Sequence, residues 1–221
     1  ERYVYLLVNI SDYIHSGVIM EYYARKDDNQ NKQLLTEHIE GVRKRCKDSH
    51  LDKFKSVLDL VSVIHDMGKF TVEWQNYMLE DLNTRVPHSI FGMAFLKDLM
   101  KDPLLNKYEA DIRGLLQDIV TYAIGAHHGL YDALTLNGMQ ATDQKIANAL
   151  NNNELYEKAK KAFLSYYSYK ELIKTVENAL EECSRFINTL YSLPNSDVKH
   201  RLFYIGFLTR LALYALIDAD W

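Results

Sequence analysis

Apolar residues recur at helical spacing along most of this chain. From Leu35 they fall at Leu35, Ile39, Val42 and Cys46, with His38 on the edge of the stripe. From Asp52 a second face collects Phe54, Leu58, Val61 and Ile64 and runs straight into His65-Asp66. Further helices are predicted over 70–82, 90–100 and 108–126, separated by Pro87 and Pro103. Gly68 reads as a left-handed C-terminal cap, and Gly129 as a second stop. Residues 130–143 read as a loop. Helices over 144–166 and 169–191 follow, the first weakened at Asn151-Asn152-Asn153. Pro194 and Asn195-Ser196 introduce a last helix, with Ser196 as its N-cap. No stretch alternates as a strand should, and no repeat or long linker interrupts the pattern. The expected fold is all-α. Residues 1–30 form an N-terminal helical extension, built on an extra element at 3–26, and residues 31–221 form one helical domain.

Composition narrows the classes. With 48% hydrophobic and 25% charged residues over 221 positions, the chain is neither disordered nor a coiled coil. Nine glycines and three prolines argue against a turn-dense all-β fold. Two cysteines, Cys46 and Cys183, exclude a disulfide-stapled scaffold and fit a reducing cytoplasm. The apolar run 202–217 is broken by Arg210 and falls short of the roughly 20 residues a spanning helix needs. Residues 3–10 lack a signal-peptide pattern, so no membrane is expected. Arg210 is expected to pair with a buried carboxylate. The chain starts at Glu1 rather than Met and stops at Trp221, as a piece of a longer protein would.

The net charge of −4 does not announce a nucleic-acid partner. One basic cluster, Arg43, Lys44, Arg45, Lys47, Lys53 and Lys55, could guide a phosphate backbone, but reads better as a solvated helix-and-turn face. Tyr166, Tyr167 and Tyr169 could stack on bases, although rim and core aromatics between helices are the preferred reading.

The chemistry gathers at histidines. A buried stripe that ends in His65-Asp66 costs free energy unless both groups find partners. A hydrogen-bonded helix cap would do. A divalent cation would do better, because imidazole nitrogen and carboxylate oxygen are both ligands. His38 lies 27 residues earlier, one helix plus a turn, so antiparallel packing can bring it beside His65. His88-Ser89 follows Pro87, His127-His128 precedes Gly129, and Asp218 and Asp220 close the apolar last helix. Ser89 reads either as an orienting partner for a ligand histidine or as a helix cap. Adjacent helical positions point about 100° apart, so His127 and His128 are expected to reach different parts of a two-metal cleft. His15, His50 and His200 match no motif and are expected at the surface or in structural roles.

In this order, His38, His65-Asp66-Met67-Gly68-Lys69-Phe70 with Trp74-Gln75, His88-Ser89, His127-His128-Gly129 and Asp218-Ala219-Asp220-Trp221 resemble the HD phosphohydrolase superfamily. More narrowly, they resemble the HD nuclease domain of the CRISPR-associated type I helicase–nuclease. The resemblance implies an HD-domain helical bundle with a metal site at its centre, cutting single-stranded DNA in the cytoplasm with up to two divalent ions. It implies His38, His65, Asp66 and Asp220 at one metal, and Asp66, His88, His127 and His128 at the other. Asp220 is favoured over Asp218 as the residue just before the terminal aromatic. Asp66 and Lys69 are the implied catalytic residues, Lys69 contacting the scissile phosphate or the leaving oxygen, although an exposed lysine after a helix cap is the plain alternative.

Mixed nitrogen and oxygen ligands suit Mn, Fe, Co or Ni better than Mg. The implied partners are single-stranded DNA, a helicase domain or subunit, and the CRISPR surveillance complex. Competing expectations are an HD-type nucleotide or cyclic-nucleotide phosphohydrolase and a non-catalytic docking module.

Overall fold

The computed structural model describes residues 21–49, 51–80, 88–129, 141–151, 153–194 and 197–221. Nine α-helices run through them: α1 Leu35–Asp48, α2 Lys55–Ile64, α3 Val72–Leu79, α4 Ser89–Leu99, α5 Ala110–Ala126, α6 Ala141–Leu150, α7 Asn153–Leu164, α8 Tyr169–Ser192 and α9 Val198–Asp220. Short 3-10 turns occupy Asp52–Phe54, Met67–Lys69 and Pro103–Lys107. The all-α expectation holds apart from one small hairpin.

The bundle is organised around α2. All eight residues from Val57 to Ile64 are buried, and a helix apolar on nearly every side belongs in the middle of a core. Helices α1, α5, α8 and α9 surround it. Its first turn has no side-chain cap of its own. Glu182 of α8 instead accepts the Ser56 and Val57 N–H groups at 3.0 Å, satisfying donors a helix start leaves open. Asp59, the acidic residue of this helix, faces α1 and pairs with Arg43 at 2.9 Å and Lys47 at 3.0 Å. Lys55 pairs with Asp52, and Arg45 donates to the Ala219 carbonyl. These internal pairings support the reading of the basic cluster as a helix-and-turn face.

Glycines allow two close backbone approaches. A Cβ on Gly92 of α4 would lie 2.1 Å from the Ile64 carbonyl oxygen, so α4 crosses the end of α2 at backbone contact. Gly68 is not the left-handed cap expected; it lies in the 3-10 turn, where a Cβ would sit 2.4 Å from the His88 carbonyl oxygen. It is needed for proximity rather than for an unusual φ.

Four further expectations are corrected. Tyr23–Lys26 is a strand, β1, paired antiparallel with β2, Lys32–Leu34, where a helix was expected. The Asp27 carboxylate accepts from Asn31 N at 2.8 Å, and Gln30 takes a φ of 65°, a turn built by the Asp/Asn chemistry that competes with helix. The helix expected over 144–166 is two, α6 and α7, divided at the asparagines. Asp197 rather than Ser196 caps α9, accepting from His200 N at 2.8 Å. The helix α9 spans 23 residues, longer than the run 202–217, and by length and composition alone it could cross a bilayer. Its inner face, Leu208, Ala212, Leu213, Leu216 and Ala219, is buried in the bundle against α5, α1 and α2. Residues 1–20, 130–140, His50 and Ser196 lie outside the described residues, and with them His15 and most of the expected extension and loop.

Candidate metal centre

Helix ends deliver every ligand candidate to one place. His38 comes from the first turns of α1, His65 and Asp66 from the end of α2, and Asp220 from the end of α9. His38, His65 and Asp66 are at most 2% exposed. His38 Nε2 lies 3.3 Å from Asp66 Oδ2 and 3.0 Å from Asp220 Oδ1. His65 Nε2 lies 3.2 Å from Asp66 Oδ2 and 3.5 Å from Asp220 Oδ1. Yet His38 Nε2, His65 Nε2 and both Asp66 oxygens form no aligned hydrogen bond. Orphaned buried atoms at such spacings are what a coordination sphere leaves. Donors about 2.1 Å from a common ion are separated by about 3.0 Å at right angles and about 3.4 Å at the tetrahedral angle.

A second group faces the first across Asp66. His88, at the start of α4, and His127 and His128, just past the end of α5, gather with Asp66 so that one ligand atom of each lies within 4.8 Å of the others. His88 Nε2 is 3.6 Å from Asp66 Oδ1 and 2.7 Å from His128 Nε2. Spacing alone predicted that the two adjacent histidines would diverge. They do not, because α5 stops at Ala126 and the pair lies beyond regular helix, with ring centroids 3.8 Å apart.

Backbone carbonyls set the tautomers. A carbonyl can only accept, so the His65 Nδ1–H donates to Ser62 O at 2.7 Å and the His127 Nδ1–H to Ile124 O at 2.6 Å. In both rings Nε2 is left facing the cluster, the arrangement of ligand histidines. Burial pushes His88 down to about 3 and His127 down to about 4, so both are neutral imidazoles at neutral pH. Burial also lowers His128. His65 differs: burial would lower it, but the Asp66 and Asp220 carboxylates outweigh that and raise it to about 9. Against its own desolvation, Asp66 is held well below the usual carboxylate range by His65 and Lys69. A carboxylate pair, Asp66 buried and Asp220 partly so, that draws positive charge onto a buried imidazole suits a dication. The donor chemistry therefore fits one ion in each group, with Asp66 oxygens toward both.

Lys69 is 8% exposed, contrary to the exposed-lysine alternative. Its Nζ lies 2.7 Å from Asp66 Oδ2 and 5.1 Å from the Trp74 ring centroid. Trp74 also meets His88 edge-on, with centroids 5.9 Å apart. Ser89 is the first residue of α4, whose capping position is His88 itself. Asp218 is exposed and stands outside both groups, as does His200, which bonds Asp197.

Supporting residues were less legible. Gln75 donates to the Lys69 carbonyl at 2.9 Å and pairs with the Tyr23 backbone, pinning the turn after Asp66 to β1. Arg45 Nε donates to Ala219 O at 2.6 Å, tethering the end of α9 beside His38. The signal for Arg45 was available, since it stands seven positions, two helical turns, after His38. Nothing in the sequence said which carbonyl it would meet.

A family model described as "Cas3, HD domain" matches residues 30–196, about three quarters of the chain. No curated protein and no solved structure matches. The family match ends before α9, so Asp220 reaches the centre from outside the matched region.

Proposed function

Because the chain belongs to the family of Cas3 HD domains, metal-dependent phosphohydrolases or nucleases, we propose that it hydrolyses phosphodiester bonds of single-stranded DNA in CRISPR interference. The observation that carries this reading is Asp66, buried between two groups of histidines, with the Nε2 atoms of His38, His65 and His127 buried and without a hydrogen bond. The first ion would be held by His38, His65, Asp66 and Asp220, the second by Asp66, His88, His127 and His128. Two such cations, when bound, supply Lewis-acid polarisation of phosphoryl oxygens and a water acidic enough to attack at neutral pH.

The chain's own residues do the rest. Asp66 turns Oδ2 toward His38 and His65 and Oδ1 toward His88, so one side chain sets the spacing of both groups. Carbonyls of Ser62 and Ile124 hold two rings with Nε2 toward the cluster, so His127 is ready to ligate and His65 has only to release a proton. Lys69, steadied over the Trp74 ring, presents a cation beside Asp66 where a phosphoryl or leaving oxygen would gather negative charge. No nucleophilic serine or cysteine is required. The helicase domain or subunit and the surveillance complex belong to this proposal as partners, and the cytoplasm as its place.

The test is cleavage of circular single-stranded DNA by the purified protein with Mn, and its loss with chelator and in Asp66→Ala. Persistence of Mn-dependent cutting in Asp66→Ala would overturn the site. Turnover of nucleoside triphosphates in preference to the DNA would replace nuclease with nucleotide phosphohydrolase.

A further inference from the structure

The outward face of α9 carries a row of exposed rings. Phe203, Phe207, Tyr214 and Trp221 are 66%, 50%, 62% and 91% exposed. Steps of four, seven and seven residues keep them within about 40° on one side of the helix. Lys199 and Arg210 stand on the same side. Arg210 is exposed and, among the described residues, has no acidic partner, contrary to the expectation that it would pair with a buried carboxylate. Phe203 and Phe207 are parallel within 7°, with centroids 6.4 Å apart, close to twice the ~3.4 Å rise between stacked bases. Toward the end of the helix, Leu211, Tyr214, Asp218 and Trp221 line an open cleft of about 560 Å³ with Leu51.

We infer that this outward face of α9 is a stacking track for single-stranded nucleic acid. The Phe203–Trp221 row covers roughly 27 Å, several nucleotides of an extended strand. Rings give sequence-tolerant stacking, and Arg210 between them with Lys199 ahead of them can hold phosphates, the pairing that single-strand binders use. Asp218, the acid in the cleft, can accept from an exocyclic base amine. Asp220, two residues past Asp218 and so about 200° around the helix, faces the other way with its Oδ1 3.0 Å from His38 Nε2, so the ring row runs along the outside of the bundle. The surface at Tyr166 and Tyr167 offers less, since both are half-buried against Phe70 or Phe163.

This inference rests on the nuclease reading, and binding separates the two. Anisotropy of a fluorescein-labelled oligothymidine is measured in chelator, so that no cutting occurs. The Phe207→Ala/Tyr214→Ala double variant is expected to bind at least tenfold more weakly than wild type, from the loss of two stacking platforms. Tyr214→Phe should retain wild-type affinity, and Arg210→Ala should lower the salt dependence by about one ion. Equal melting temperature and Mn content in wild type and double variant show that folding is not the cause. Should the double variant misfold, Arg210→Ala and Tyr214→Phe still test the track. Wild-type affinity in the double variant overturns the track, even where the wild type cuts DNA. Weak oligothymidine binding by wild type, with the same substitutions abolishing self-association or binding to anionic vesicles, overturns it in favour of a protein or lipid surface. Tight, ring-dependent binding by a wild type that cuts nothing with Mn sustains the track and removes the nuclease.

Discussion

At the residue scale the chemistry depends on single atoms with nothing else to do. Asp66 is buried, has the Lys69 cation beside it, and offers one oxygen to each histidine group. Metal content should therefore separate the groups: His38→Ala is expected to lose about one ion per chain, His128→Ala the other, and Asp66→Ala both. Mass spectrometry of metal after Mn loading and desalting measures this, and identical stoichiometry in all three variants would exclude a shared ligand. Gly68 makes a second prediction. A methyl there meets the backbone of His88 at 2.4 Å, and backbone cannot swing aside as a side-chain tip can. Gly68→Ala should cost about 1–3 kcal/mol of stability by overpacking. It should also weaken the ion near His88 more than the ion near His38, read from melting curves and the same metal analysis. His65-Asp66 and its histidines were visible in the chain as odd polar groups at apolar ends. The role of Gly68 was not, because a clash with residue 88 exists only after folding.

Elements were recognisable wherever periodicity was strong. Helices α1, α2, α4, α5 and α8 follow their apolar stripes closely, because burying one face stabilises a helix more than any local preference. The hairpin was missed because its residues carry too little alternation to announce a strand. Its pairing is held instead by an Asp27–Asn31 turn and by Gln75, 52 residues away from Tyr23. Elements are also tied pairwise by polar contacts. Asp98 of α4 takes Tyr156 at 2.6 Å and Lys160 at 2.7 Å, both from α7. Burial would raise this carboxyl, but Lys101, Lys160 and Tyr156 outweigh it and hold it down to about 2. A depressed native value means the tie is complete above the ordinary aspartate range, near 4, and is lost as pH falls toward 2. Asp98→Asn should therefore lower the melting temperature at pH 5 and have progressively less effect between about pH 4 and 2. A gap between the two proteins that stays constant from pH 5 to 2 would contradict this.

For the whole molecule, the candidate ligands come from α1, α2, α4, α5 and α9, with His38 and Asp220 lying 182 positions apart in sequence. An unfolded chain cannot assemble such a set, so ions bind the native state selectively. Mn at about a hundred times its dissociation constant should add about 2.7 kcal/mol of stability. For a domain of this size that amounts to roughly 5–10 °C in melting temperature. Scanning calorimetry with Mn, with chelator and with Asp66→Ala checks it; an unchanged Tm on adding Mn would argue against a pre-assembled centre. The sequence by itself determined that the chain is helical, because spacing of apolar groups is a local property, and which imidazoles and carboxylates are chemically out of place. Only the tertiary structure decided that they converge, that His127 and His128 share one group, and that α9 turns one face to the core and its rings outward. Those outcomes depend on distances between residues remote in sequence, which are set by how the helices pack.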